Sequence, residues 1–300
     1  MSPAPLRIAM IGLGDIARKA YLPVLGSRPD LELTFVTRNA QALAELGAAW
    51  RVKRLHAELD TALAQGLDGA FVHAATEAHP AIVRRLLEAG VPVLVDKPIA
   101  DNAAESEALV DLAETRGVSL MVGFNRRHAP TYREAAALNL PLTVMQKNRP
   151  GPLDEVRRAV FDDYIHVVDT IRFLAPGADQ VAVRGRAVGG RLEHVVLSLS
   201  GAGRDALGIM NRASGASEEV LEVSGGGLKR KIIDMDQLID QGAAEALIRR
   251  GNWTSVGRQR GFEAMCDVFL DAVRDGRRLS ALDALETHRL CETVVRTLSA

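Results

Sequence analysis

Ile8-Ala9-Met10-Ile11-Gly12-Leu13-Gly14-Asp15-Ile16-Ala17 runs an apolar strand straight into a helix through the pattern G-x-G-x-x-A. Gly12 permits the tight turn, Gly14 lets backbone approach a pyrophosphate, and the small Ala17 lets the helix pack closely on the strand. The start of a helix leaves amides without partners and a partial positive charge, so the stretch predicts a phosphate-binding turn that also takes in Asp15 and Ile16.

Outward from this turn, short apolar runs alternate with helical patterns, the sign of parallel strands joined by crossover helices. The predicted strands are 6–11, 31–36, 70–74, 92–95 and 119–122, nearly all apolar because both faces of such a sheet are covered. The helices between them are 16–26, 40–46, 78–89 and 102–116, the last opening with Asn102 and Glu105 at capping-box spacing. Past Gly123 strands follow one another at 142–146, 180–187, 191–198, 205–211, 220–224 and 229–234, with a helix inserted at 161–174 and two more at 260–274 and 281–298. Gly225-Gly226-Gly227 reads as a hairpin turn. The fold class is therefore an α/β Rossmann domain over 1–123 followed, over 124–300, by an α+β domain with an open, mostly antiparallel sheet. Its C-terminal helices, near 260–298, are candidates to pack back on the Rossmann domain.

Bulk properties narrow the function. A chain of 300 residues exceeds what one core usually supports, and 47% hydrophobic with 25% charged residues is an ordinary globular composition. A formal net charge of −1 offers no field for polyanions, which argues against a nucleic-acid partner. Cys266 and Cys291 have no second pair to form a metal knuckle, so no metal is expected. The N-terminal apolar run is too short for a signal or membrane segment, so the expected location is cytoplasmic, with no membrane partner.

In a dinucleotide fold that selects NAD, a carboxylate ends the second strand and takes the ribose hydroxyls. Here that strand ends Phe35-Val36-Thr37-Arg38-Asn39. Thr37 can hydrogen-bond a 2′-phosphate and Arg38 can pair with it, so the cofactor is NADP or NAD with NADP favoured.

Three further segments follow in order: Ala75-Thr76-Glu77-Ala78-His79, Val95-Asp96-Lys97-Pro98 and Val122-Gly123-Phe124-Asn125-Arg126-Arg127. The ordered series resembles the Gfo/Idh/MocA oxidoreductase family, and within it the MviM-type branch, over essentially the whole chain. The resemblance implies a Rossmann domain, an open-sheet domain that often makes the oligomer interface, and a catalytic lysine in a Glu-Lys-Pro motif. Lys97 matches that lysine, Asp96 replaces the usual glutamate, and the lysine–proline bond in this family is often cis. Lys97 also sits past the carboxyl end of a central parallel strand, the crevice where open α/β sheets bind ligands, and a lysine there can give a proton to a carbonyl oxygen.

The family's second motif, an aspartate four positions before a histidine, is matched by Asp162 and His166. His166 would take the hydroxyl proton of an alcohol and Asp162 would orient the ring or bind substrate. The usual preceding glycine run is replaced by Arg157-Arg158-Ala159-Val160-Phe161. Toward the cofactor the resemblance brings in Ala75, Thr76, His79, Asp96, Lys97 and Asn125, with His79 mainly starting a helix. Toward the substrate it brings in Arg126, Tyr164 and Asp169, while His73 and Trp253 are candidates for the pocket wall. The remaining histidines, His56, His128, His194 and His288, read as structural.

Together these point to a dehydrogenase or reductase passing hydride between nicotinamide and a small hydroxyl or carbonyl compound, a sugar or polyol derivative, in a homodimer or homotetramer. The alternative is a non-catalytic sensor of dinucleotide or sugar, which has no chemical reason to retain Lys97, Asp162 and His166.

Overall fold

The structure, a computed structural model, describes residues 4–249 and 251–299. Its chain divides into two compact units: one runs through Gly123 and takes up Phe262–Leu285, the other holds Phe124–Gly261 and the residues from Glu286 on.

In the first unit six strands, β1 (Leu6–Ile11), β2 (Leu31–Val36), β3 (Arg54–His56), β4 (Gly69–Val72), β5 (Val93–Val95) and β6 (Leu120–Val122), form one sheet in the order β3-β2-β1-β4-β5-β6. Every pairing in it is parallel. That is the doubly wound order, with its reversal between β1 and β4. The central strands are covered on both faces, and Ile8, Met10, Phe71, Val93 and Leu94 are fully buried. The strand β3 and the helix Leu59–Leu63 after it went unread in the sequence, because three residues, Arg54-Leu55-His56, carry too little apolar pattern.

The helix expected over 16–26 is present in altered form: a π-helical turn, Ala17–Tyr21, leads into Leu22–Leu25. The helix Ala103–Arg116 is capped by Asn102, whose side chain accepts from Glu105 N at 2.8 Å. Phe262–Arg274 completes this unit's core. Its Met265, Cys266, Phe269 and Leu270 are buried among Tyr21, Phe35 and Phe71, with Phe269 edge-on to Phe71 at 5.0 Å between centroids. Ion pairs fix its rim, Arg274 to Asp30 at 2.8 Å and Arg28 to Asp267.

The second unit is built on eight strands: β7 (Leu142–Asn148), β8 (Gln180–Val188), β9 (Arg191–Gly201), β10 (Arg204–Asn211), β11 (Glu218–Gly225), β12 (Leu228–Ile233), β13 (Gln237–Gln241) and β14 (Glu245–Arg249). They are ordered β14-β13-β12-β11-β7-β10-β9-β8, antiparallel except for β7 with β10. The expected glycine hairpin joins β11 to β12, Gly225 pairing with Leu228 around Gly226 and Gly227 at φ +57° and +80°. Positive φ at both central residues is the I′ geometry that suits strand twist. Strands β13 and β14 and the helix Pro130–Ala137 escaped the sequence reading.

Ile165–Leu174 lies on one face of this sheet, where Val167 and Ile171 approach Gly208 of β10 so closely that a side chain there would come within 2.8 Å of Val167. Beside it the unit buries charge in matched pairs. Arg126 donates twice to Glu219, at 2.8 and 2.6 Å, and Tyr132 donates to the same carboxylate at 3.0 Å. Burial alone would raise the Glu219 carboxyl, but the Arg126 charge and hydrogen bonds outweigh it and hold it down at about 2.

Arg126→Ala should strand the Glu219 carboxylate and destabilise the second unit by about 3–5 kcal/mol. Lys19→Ala, breaking an ion pair whose side chains are 74% and 77% exposed, should change the urea midpoint little. Because Glu219 is held below its ordinary 4.5, its contribution is complete above that pH and is lost as pH falls toward 2, which urea titrations at stepped pH can follow.

Candidate active site

β1 ends at the reversal of strand order, and the chain turns there on Gly12. Gly12 has φ +84°, and a side chain on it would come within 2.5 Å of Ala74 N, so only glycine lets the turn press against the end of β4. Arg18 N–H bonds back to Gly14 O at 3.1 Å, so the amides ahead of it are the unpaired donors of a helix start. Arg18 also folds its Nε onto Leu13 O at 3.0 Å, bracing the loop. Around Gly14 there is open space to 4 Å, because it borders a cleft of about 840 Å³. That volume lies within the range of cofactor sites.

The expected residues Gly12, Gly14, Asp15, Thr37, Arg38 and Ala75 line this cleft. Ala17 is fully buried beneath it, in the packing position expected of it, and Ile16 is partly exposed beside it. Thr37 accepts from Asn39 N at 3.3 Å, Asn39 caps the following helix through Ala42 N at 3.0 Å, and Arg38 is exposed. Sequence reasoning missed Ala57, Glu58 and Leu59, which reach the cleft from the turn after β3. The missed strand explains the omission.

A second cluster stands at the carboxyl end of β5. The Lys97–Pro98 peptide is cis, and both Asp96 and Lys97 are half-buried. Tyr21 donates its hydroxyl to Asp96 Oδ1 at 2.8 Å, and Gly123, lacking a side chain, leaves room for that pair. Burial raises the Asp96 carboxyl despite the opposing pull of Lys97 and of Tyr21. His79 is buried, with Nδ1 2.8 Å from Pro98 O and Nε2 3.0 Å from Ala74 O. The ring therefore ties the Lys97–Pro98 segment to the end of β4 besides opening the helix His79–Glu88. Thr76 opens the short turn ahead of it. His73 contributes to the cleft wall, but its ring lies 3.9 Å from that of Tyr21, and neither nitrogen has a partner among the described residues. Burial, reinforced by His79, lowers it to about 3, so it stays neutral.

In the second unit several of the expected site residues engage other protein groups. Asn125, expected at the cofactor, is buried and donates to Arg260 O at 2.8 Å. Arg126 is consumed by Glu219, and Asp169 by Arg127 at 2.6 Å and Thr287 at 3.0 Å. Tyr164 is fully buried, its hydroxyl on Gly208 O at 2.7 Å. Each of these polar groups has a protein partner within the second unit. Trp253, a candidate for the pocket wall, is fully exposed.

Around the aspartate–histidine motif the helix widens into a π-helical turn, Val160–Tyr164. Asp162 stands exposed, 3.5 Å from Arg158, while Asp163 turns inward to Lys147 and to Arg212 at 3.4 Å. His166 is half-buried. Burial first, then the Arg126 charge, lowers the Lys147 ammonium to about 8 against the pull of Asp163. Spacing in the sequence assumed an α-helix and could not reveal which aspartate faces in.

Comparison with known proteins agrees with this geometry. Residues 6–124 match the family model described as "Oxidoreductase family, NAD-binding Rossmann fold", and 130–242 match that of the YceM-like C-terminal domain. The YceM protein of Salmonella typhimurium is 36% identical over 281 residues, 90% of each chain. The chain belongs to the Gfo/Idh/MocA oxidoreductase family. Among solved structures of this family's fold, a dehydrogenase (MviM) from Clostridium difficile superposes with a TM-score of 0.89 at 28% identity, covering 98% of this chain and 99% of that one. A myo-inositol dehydrogenase, Hyg17, of Streptomyces leeuwenhoekii is 34% identical over 183 residues, 56% of this chain and 55% of that one. Among the described residues of this Gfo/Idh/MocA member, no helix is long and apolar enough to cross a membrane and no group of three His, Cys, Asp or Glu side chains could hold a metal.

The two glycines should separate experimentally. Gly12→Ala forces a backbone collision at positive φ and should cost at least about 1–3 kcal/mol in thermal or urea unfolding. Gly14→Val projects into the open cleft, so it should melt as wild type yet lose at least about tenfold in NADPH affinity by fluorescence titration.

Proposed function

We propose that this chain is an NADP-preferring dehydrogenase or reductase that interconverts a CH–OH group and a carbonyl on a sugar or polyol derivative in the cytoplasm, as an assembly with further copies of itself. The observation that carries the cofactor preference is the exposed Arg38 on the cleft wall beside Thr37, where an NAD-selective site presents a carboxylate. The substrate class is supported by the likeness to a myo-inositol dehydrogenase. Glu58, also on the cleft wall, favours a second reading in which a carboxylate from beyond β3 accepts the ribose hydroxyls of NAD.

When bound, the dinucleotide supplies or accepts the hydride. The chain's own part is to cradle phosphate with the Gly12–Gly14 turn and to present Lys97, steadied by its neighbours Asp96 and Pro98. In reduction the Lys97 ammonium gives its proton to the carbonyl oxygen; in oxidation the neutral amine takes it from the hydroxyl. In the second unit, His166 is proposed as a proton carrier and Asp162 as its companion.

Fluorescence titration with NADPH and NADH tests the cofactor part. Wild type should bind NADPH more tightly, and Arg38→Ala should weaken NADPH about tenfold or more while changing NADH little. A loss of NADH affinity in Glu58→Ala, with NADPH unaffected by Arg38→Ala, would establish the second reading. Lys97→Ala should keep NADPH binding and abolish turnover of whichever inositol, sugar or nucleotide sugar wild type accepts. Tight NADPH binding without turnover of any of them would identify a sensor instead.

A further inference from the structure

The eight-stranded sheet ends in two edges of opposite design. Along β8 the pairing with β9 is broken by a register shift between Arg186 and Ala187, and Arg184 and Arg186 project from the strand. Bulges and charges are how proteins keep an open edge from recruiting another strand. The other edge has no bulge, and its charges, Glu245 and Arg249, stand only at its two ends. β14 pairs regularly with β13 from Gln237 opposite Arg249 to Gln241 opposite Glu245, and its centre, Ala246-Leu247-Ile248, holds no charge or proline. All five of its residues are exposed, Leu247 at 52% and Ile248 at 53%.

The sequence of this edge names its occupant. Laid antiparallel on a second copy about a two-fold axis through Leu247, Glu245-Ala246-Leu247-Ile248-Arg249 sets Leu247 against Leu247, Ala246 against Ile248 and Glu245 against Arg249. The symmetry makes two identical ion pairs. The row of side chains behind the edge agrees. Met145, Leu221, Ile232 and Leu238 stand opposite one another across β7, β11, β12 and β13 and are at most 3% exposed. The next member, Ile248, is half open because the sheet stops there. A second β14 would place Ala246 beside it and continue the row.

A pair of five-residue strands is smaller than the roughly 1,000 Å² a stable interface buries. The chain just beyond β14 carries Trp253, fully exposed, and Val256, 57% exposed, and a buried tryptophan adds about 150–250 Å².

We propose that two copies of this chain join β14 to β14, fusing their eight-stranded sheets into one continuous sheet locked by reciprocal Glu245–Arg249 pairs. This rests on the reading that the protein assembles with itself and assigns the surface. Sedimentation over a dilution series tests it on wild type, Glu245→Arg, Arg249→Glu and the double exchange, with melting temperatures recorded to verify folding. Each single exchange replaces two attractions by two repulsions and should weaken association about tenfold. The double exchange should restore it. Rescue within one chain is ruled out, since the two positions lie about 13 Å apart along a strand. A monomeric wild type would overturn self-assembly itself. Wild-type oligomers that ignore both single exchanges, or a double exchange that stays as weak as the singles, would overturn the β14 surface alone.

Discussion

The first unit depends on how closely the backbone at Gly12 comes to the end of β4. Ile11 and Val72 are opposite one another, His73 N donates to Ile11 O at 2.7 Å, and the turn at Gly12 lies against Ala74. One methyl group there would force β1 and β4 apart at the point where strand order reverses. Because they stay together, the helix starts at the cleft that Gly12, Gly14 and Asp15 line, and its π-helical turn carries Tyr21 to Asp96. Phosphate cradle and lysine support thus share one backbone contact.

The second unit solves a different problem, how to hide charge without leaving it alone. Glu219 takes Arg126 and Tyr132; Asp163 takes Lys147 and Arg212; Asp169 takes Arg127 and Thr287. Removing either member of a buried pair costs far more than the pair contributes in place. Such pairs fix which strand lies beside which helix.

What could be read from the sequence follows the physics of each signal. The strands β1 and β2 were delimited to the residue, since apolar runs bounded by turn formers have few alternative readings. The glycine turn, the capped helix at Asn102 and the cleft residues from Gly12 to Arg38 were equally legible, being local. β3, β13 and β14 were not, because strands of three to five residues acquire their identity only from a neighbour. Partners were least legible of all. Nothing along the chain shows that Arg126, Tyr164 and Asp169 meet Glu219, Gly208 and Thr287, which arrive from far away. Asp162 and Asp163 differ by one position, and a widened helical turn decides between them.

The first unit borrows Phe262–Leu285 from the far end of the chain, and this imposes an order on its birth. Residues through Gly123 leave the ribosome with the apolar face around Tyr21 and Phe71 uncovered. The helix that covers it emerges after some 140 further residues, which at 5–20 residues per second takes roughly ten to thirty seconds. For that interval the half-made unit exposes an aromatic surface while Phe124–Gly261 of the second unit is being synthesised. A nascent chain of this design must either be shielded during translation or hold its sheet loosely until its last helices are delivered.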